Sequence, residues 1–192
     1  MSTPKILAFG TSLREGSFNH RLAEAAATYA RDAGAGVTVV RLRDFPMPIF
    51  DEDLESREGM PEHAQRFKDL LIEHDGFLIS NAEYNSSMTA AFKNAIDWAS
   101  RPKEGEPPLH AFAGKCASLL GCSPGGLGGL RVLSHTRDLL LNIRVNVLGN
   151  QYALSNAGEA FNDDGTLARD KDIKAVSKNA RELAEVLIAL KR

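Results

Sequence analysis

Between Gly10 and Asn19 the chain gathers three hydroxyls (Thr11, Ser12, Ser17), the guanidinium of Arg14 and the amide of Asn19. The apolar run Ile6 to Phe9 precedes them and an amphipathic segment follows, so this is a turn from a strand into a helix. The first N–H groups of a helix have no partner inside it, and the helix dipole puts partial positive charge at that end. Hydroxyls and a guanidinium at such a turn make an anion site, for which phosphate is the natural occupant. Ser12, Ser17 and Thr11 can donate to phosphate oxygens, Arg14 adds charge, and Asn19 can cap the helix or donate to the ligand. The competing reading is an ordinary polar turn with a serine or asparagine cap. Gly10 and Gly16 are too far apart for a Walker loop and no lysine precedes Ser17, which argues against nucleoside triphosphate chemistry. The Gly-x-Gly-x-x-Gly fingerprint of a tightly held nicotinamide dinucleotide is also missing from this turn.

Two other loops have unusual composition. Asn81 to Met88 is polar with one aromatic: Tyr84 can stack on a planar ring, and the backbone from Glu83 to Asn85 can offer N–H and C=O groups to the ring's edge. Gly121 to Gly129 holds five glycines, which would let backbone approach a flat ligand closely. Alone, each reads as a surface turn. If all three meet at one edge of a sheet, a ligand made of a ring and a phosphate becomes the better reading.

The elements that would bring them together follow from hydrophobic pattern. Lys5 to Phe9, Val37 to Leu42, Phe77 to Ser80, Cys116 to Leu120 and Asn142 to Leu148 read as strands. Asn19 to Ala33, Pro61 to His74, Thr89 to Ser100, Leu130 to Leu141 and Asp170 to Leu190 read as helices, the last with a stripe of Ile173, Val176, Ala180, Leu183, Leu187 and Ile188 for burial. Strand and helix alternating five times predicts an α/β fold, a doubly wound five-stranded parallel sheet with helices on both faces. In such sheets ligands bind beyond the carboxyl ends of the strands, where the three loops fall. The 192 residues predict a single domain, residues 1–192. The net charge of −2 gives no electrostatic case for nucleic acid. Two cysteines cannot make a disulfide framework, no stretch of roughly twenty apolar residues is available for a membrane span, and Met1 to Lys5 runs straight into a strand. A cytoplasmic chain without membrane contact is expected.

Other candidate chemistry is weaker. Cys122 would suit a phosphatase loop, but no arginine follows at the required distance, so Cys116 and Cys122 read as ordinary thiols. The five histidines show no metal-ligand spacing, and no metal is expected. Asp51 to Glu58 reads as a solvated acidic connection. In the segment from Phe92 to Trp98, Phe92, Ile96 and Ala99 should face the sheet, while Trp98 reads equally as core or as a partly exposed interface residue.

Three of these segments carry a resemblance. Gly10-Thr11-Ser12-Leu13-Arg14-Glu15-Gly16-Ser17-Phe18-Asn19, Glu83-Tyr84-Asn85 and Phe92 to Arg101 together resemble the NAD(P)H-dependent FMN reductases of flavodoxin-like fold, a family that includes bacterial quinone, azo-dye and chromate reductases. The resemblance implies that the FMN phosphate falls to Ser12, Arg14, Ser17 and Asn19, with backbone from Thr11 and Phe18. It implies that Ala82, Glu83, Tyr84 and Asn85 lie against the ring, with Ser123, Pro124, Gly125 and Gly126 at its other edge. It also implies a homodimer or homotetramer, NADPH or NADH as co-substrate, and a small electron acceptor such as a quinone, azo compound, flavin or metal oxyanion. The acidic loop often reaches the neighbouring subunit's flavin in that family. One departure is visible: Ala82 stands where proline is usual, which frees the ring loop's backbone. The chemistry would sit on the flavin, with no catalytic side chain nominated. Backbone N–H groups near Asn85 and Gly125 could stabilise charge on the reduced ring. Two alternatives stay open: a flavodoxin-type electron carrier, which is usually more acidic than this chain, and a flavin-based redox sensor without turnover.

Overall fold

The computed structural model describes residues 2–191. Its centre is a parallel sheet of β1 (Lys5–Gly10), β2 (Gly36–Arg41), β3 (Gly76–Asn81), β6 (Cys116–Cys122) and β7 (Asn146–Leu154), in the order β2-β1-β3-β6-β7. A two-stranded antiparallel hairpin, β4 (Glu83–Tyr84) and β5 (Ser87–Met88), stands apart from it. The helices are α1 (Phe18–Asp32), α2 (Glu52–Glu58), α3 (Glu62–Glu73), α4 (Ala90–Ala99), α5 (Leu130–Asn142) and α6 (Asp170–Leu190). This is the flavodoxin-like strand order, which reverses direction between β1 and β3 and opens a crevice there.

Alternation along each strand sends its side chains to two separate cores. Ile6 and Ala8 of β1 join Leu22, Ala26 and Ala30 of α1 and Val176, Ala180, Leu183 and Leu187 of α6. Leu7 and Phe9 join Phe67 and Leu71 of α3, Phe92 and Ile96 of α4, and Leu133 and Leu140 of α5. Helices thus cover both faces, which is why β3 and β6 are buried along their whole length. Each buried leucine or phenylalanine stabilises the fold by about 1.5–3 kcal/mol. No helix among the described residues is long and apolar enough to cross a membrane.

The structure corrects three expectations and decides between the two readings of Trp98. The fifth strand runs Asn146–Leu154, not Asn142 to Leu148. Asn142 ends α5, Arg144 takes the left-handed conformation (φ 65°), and the N–H groups of Arg144 and Val145 close the helix on Leu141 and Leu140 carbonyls. The apolar residues Ile143 and Val145 pack into the core from that turn, imitating a strand pattern. Asp51 to Glu58 is not a loop: Asp51 caps α2, its carboxylate accepting from Asp53 N (2.8 Å) and Leu54 N (3.4 Å). No residue of α2 is buried, so no apolar period announced it. Trp98 is fully buried, with Nε1 donating to the Pro48 carbonyl at 2.9 Å, and belongs to the core rather than to an interface. The second loop contains the β4–β5 hairpin, whose turn residues Asn85 (φ 51°) and Ser86 (φ 66°) are both left-handed, as a two-residue hairpin turn requires.

Candidate functional site

The first turn leaves β1 at Gly10, pressed against the start of α1: a Cβ there would lie 2.7 Å from Asn19 C and His20 N. Ser17 caps α1, its hydroxyl accepting from His20 N at 3.3 Å. The N–H groups of Phe18 and Asn19 meet no acceptor among the described residues, so the anion-binding end of the helix is open. Ser12 stands opposite, its Oγ accepting from Arg14 N at 3.2 Å and lying 3.5 Å from the Tyr84 hydroxyl. The Arg14 side chain is exposed, its guanidinium donating to the Gly16 carbonyl at 3.2 Å.

Thr11 and Asn19 do different work. Thr11 is fully buried: its N–H donates to Ser80 O, its Oγ1 accepts from Ala82 N at 2.9 Å, and its carbonyl accepts from Thr89 Oγ1 at 2.8 Å. It stitches the first turn to the second loop and to the start of α4. The Asn19 side chain donates to Cys122 O (2.9 Å) and accepts from Ser80 Oγ (2.9 Å), fixing α1 across the ends of β3 and β6. What Asn19 offers the turn is its backbone N–H. Asn81 completes the stitching, donating to Leu120 O (3.0 Å) and accepting from Thr136 Oγ1 (2.9 Å).

In the second loop Glu83 turns its carboxylate to α5. Its Oε2 accepts from Arg131 N (2.9 Å) and Val132 N (3.0 Å), and Oε1 lies 3.3 Å from Arg131 Nη1. Glu83 thereby caps a helix whose own N-cap, Gly129, has no side chain to do so. The hairpin and the glycine loop are locked together by one carboxylate, and Tyr84 is left half-exposed beside Ser12.

The glycines of the third loop divide into two groups. Gly128 and Gly129 are left-handed (φ 61° and 83°), and a Cβ on Gly128 would meet the Leu154 backbone at 2.6 Å; the close approach there is to β7, not to a ligand. Gly126 faces open space, a Cβ on Gly125 would meet Ser123 Oγ at an ordinary 3.8 Å, and Ser123 and Pro124 line the cleft. The Gly125 carbonyl accepts from Asn156 N and Gly128 N, and the Ser123 carbonyl from Ala157 N, so the loop leans on the end of β7. That end is held by Asp172, fully buried and bonded to Tyr152 Oη (2.5 Å) and to Arg169, which also reaches Ser155 O at 2.7 Å. Burial and the neighbouring carboxylate push the Tyr152 phenol up to about 12. Burial pushes the Cys122 thiol up to about 12 as well, which leaves it a neutral thiol and a poor nucleophile.

The three loops therefore share one cleft of about 90 Å³, lined by Ser12, Arg14, Ser17, Phe18, Asn19, Ala82, Glu83, Tyr84, Ser123 and Pro124, with Cys122 at its base. Thr11 lies behind the cleft as a strut, and Asn85, Gly125 and Gly126 stand outside its lining, beside it. Sequence reading missed the Glu83 cap and the Tyr152, Asp172 and Arg169 support, because their partners lie far away along the chain. Unpaired helix N–H groups, two hydroxyls and an arginine fit a phosphate, and a half-exposed tyrosine between two backbone-rich loops fits a flat ring. Among the described residues no group of three His, Cys, Asp or Glu could hold a metal ion.

A family model described as NADPH-dependent FMN reductase matches residues 4–159. The chain belongs to that family. Its closely similar relatives include an NAD(P)H-dependent FMN reductase of Pseudomonas aeruginosa, 33% identical over 180 residues, covering 93% of this chain and 92% of the relative. An NAD(P)H:quinone oxidoreductase of Solanum tuberosum is 32% identical over 189 residues, covering 97% and 90%. Among solved structures, the flavoenzyme NAD(P)H:(acceptor) oxidoreductase of Paracoccus denitrificans superposes with a TM-score of 0.83 at 26% identity, covering 97% of this chain and 98% of that one. The chain is thus an FMN-dependent NAD(P)H oxidoreductase of flavodoxin-like fold, acting on a small-molecule acceptor.

Proposed function

We propose that the first turn anchors the FMN phosphate and that the protein delivers electrons from NADPH or NADH to a quinone. In this reading Ser12, Arg14 and Ser17, with the N–H groups of Phe18 and Asn19, hold the phosphate; Thr11 fixes the turn from behind. Ala82 to Asn85 and Ser123 to Gly126 hold the ring between them. FMN, when bound, would supply the redox chemistry that links the nicotinamide to the acceptor. The chain's own contribution is to orient and enclose: Glu83 fixes the spacing of the two ring loops, and backbone N–H groups near Asn85 and Gly125, beside the cleft, would donate to the polar edge of a bound ring. No side chain need act as acid or base in the first transfer.

The observation that carries the reading is the open α1 N-terminus beside Ser12 and Tyr84, in the crevice where the strand order reverses. A quinone is favoured over an azo compound, flavin or metal oxyanion because the potato relative is named for quinone reduction. The whole chain acts as one flavin-binding domain in the cytoplasm, assembled as a homodimer or homotetramer; support for assembly is the exposure of the apolar Leu13 (49%) and Ile49 (85%). The test is the visible spectrum of the purified protein followed by NAD(P)H oxidation with a benzoquinone. A yellow protein that consumes the co-substrate only with acceptor present is expected. A flavin-loaded protein with no turnover would instead support an electron carrier or sensor.

A further inference from the structure

The sheet has a second hollow at its other end. The flavin cleft lies beyond the carboxyl ends of the strands, whereas a pocket of about 390 Å³ opens at their amino ends, where Asp75 precedes β3 and Lys115 precedes β6. The six residues of β3 put about 20 Å between the two. Part of the pocket's lining is apolar, with Ile72 from α3 and Leu187 and Leu190 from the end of α6. Leu187 presses on the strand ends so closely that a Cβ on Gly76 would lie 2.8 Å from its Cδ1, and Leu190 is left 67% exposed at the rim. Against these stand four polar side chains: Asp75, His110, Lys115 and Lys191. A pocket of this size with a few convergent polar groups falls in the range of small-ligand sites.

The charges of the pocket do not balance. Asp75 is satisfied within the protein, its Oδ2 accepting from Lys191 Nζ and from Lys5 N, both at 2.7 Å. Burial works against the charged form of Asp75, but the bonds from Lys191 and Lys5 outweigh it and hold the carboxyl below its usual range. Lys115 is in a different position. Its ammonium donates to the carbonyls of Ile72 (2.9 Å) and His74 at the end of α3, and its Nζ lies 6.0 Å from the centre of the Phe77 ring. Among the described residues it forms no ion pair, because the nearby Asp75 is taken by Lys191. Carbonyl dipoles and a ring face surround this cation without neutralising it. Burial accordingly lowers the Lys115 pKa, and the charge of Asp75 offsets only part of the effect. Two of the three ammonium protons go to carbonyls, which leaves one free.

A partly buried cation with one free donor, beside exposed leucine, defines the chemistry of an occupant. An anion in the pocket would supply the missing counter-charge, and an apolar body attached to it would cover Leu190. The carboxylate of Asp75 shares the lining and repels a second negative charge, so a monoanion fits better than a phosphate dianion. His110, exposed at the rim, offers a further ring N–H to an acceptor.

We propose that this pocket binds a small monocarboxylate with an apolar body, the carboxylate pairing with Lys115 and the body lying along Leu187 and Leu190. The site is remote from the flavin cleft, and its occupancy is independent of the flavin reading. The test titrates the purified full chain with octanoate and with octanol, probes that share an apolar chain and differ in charge, using calorimetry. Octanoate should bind at least tenfold more tightly than octanol. Lys115→Met should abolish that preference, Lys115→Arg should keep part of it, and Leu190→Glu, which brings a like charge to the rim, should weaken octanoate binding at least tenfold. Lys115 also holds the end of α3, so circular dichroism checks the fold of the Lys115 variants. If Lys115→Met does not fold, Leu190→Glu decides alone, since Leu190 is exposed and its replacement leaves the core intact. Equal affinity for the two probes, no saturable octanoate binding at millimolar concentration, or octanoate binding unchanged by Leu190→Glu would overturn the proposal.

Discussion

Glu83→Ala should be the most informative single change outside the phosphate turn. The carboxylate accepts two backbone N–H bonds at 2.9 and 3.0 Å from the first turn of α5 and pairs with Arg131 at 3.3 Å. Hydrogen bonds to a charged group contribute about 1.5–3 kcal/mol each, and loss of a helix N-cap costs about 0.5–2 kcal/mol. Water can replace part of what is lost at this partly exposed helix end, which places the cost at about 2–3 kcal/mol. For a chain of this size that is a fall in Tm of roughly 4–12 °C. Glu83→Gln keeps one acceptor oxygen and should cost about half as much. Urea unfolding of the flavin-free protein isolates this effect from cofactor binding. The same substitution releases the hairpin from the glycine loop, so FMN affinity should fall even at temperatures where the variant is fully folded. A Glu83→Ala protein within 0.5 kcal/mol of the parent, binding FMN equally well, would refute the capping argument and the idea that one carboxylate spaces the ring loops.

Gly10→Ala would place a methyl 2.7 Å from the backbone of Asn19 and His20, where ordinary contact begins at 3.4 Å; the resulting shift of α1 should cost about 1–3 kcal/mol in urea unfolding and weaken FMN binding. The buried His74, bonded to Leu70 O (2.6 Å) and Thr38 Oγ1 (2.8 Å), has its pKa lowered from 6.5, chiefly by burial. A histidine depressed in the folded state stabilises above its unfolded pKa, so stability should fall as pH drops below about 6.5, by up to about 1.4 kcal/mol per pH unit until the folded pKa is reached. His74→Asn should flatten the pH dependence of Tm between pH 7 and 5, and an unchanged slope would count against this origin. Cys116 and Cys122 are both buried with thiol pKa values raised by burial, so an alkylating reagent at pH 8 should modify neither until denaturant is added.

How much could be read from sequence depended on whether the reason for a structure lay nearby in the chain. The central strands β1, β3 and β6 are short apolar runs because both faces are covered, and such runs are visible in any sequence. The edge strand β7 carries Asn146, Gly149, Asn150 and Gln151, and its pattern was outshone by the core residues Ile143 and Val145 just before it. Helix α2 buries nothing and is announced only by its Asp51 cap. The β4–β5 turn uses Asn85-Ser86 in place of the glycine-containing pairs that usually signal a hairpin. At the site, the hydroxyls and arginine of the first turn were legible because strand, turn and cap are consecutive. The inward turn of Asn19, the use of Gly128 for packing and the Glu83 cap of α5 all depend on partners dozens of residues away, and no local spacing encodes them.

The account rests on the first turn as a phosphate anchor for flavin. The direct measurement is the equilibrium affinity of the flavin-free protein for FMN and for riboflavin, which differ only by the phosphate, in the parent chain and in Arg14→Ala/Ser17→Ala. The account predicts that the parent binds FMN at least a hundredfold more tightly than riboflavin and that the double variant loses most of that ratio while still binding riboflavin. Equal affinity for the two flavins in the parent chain would contradict it.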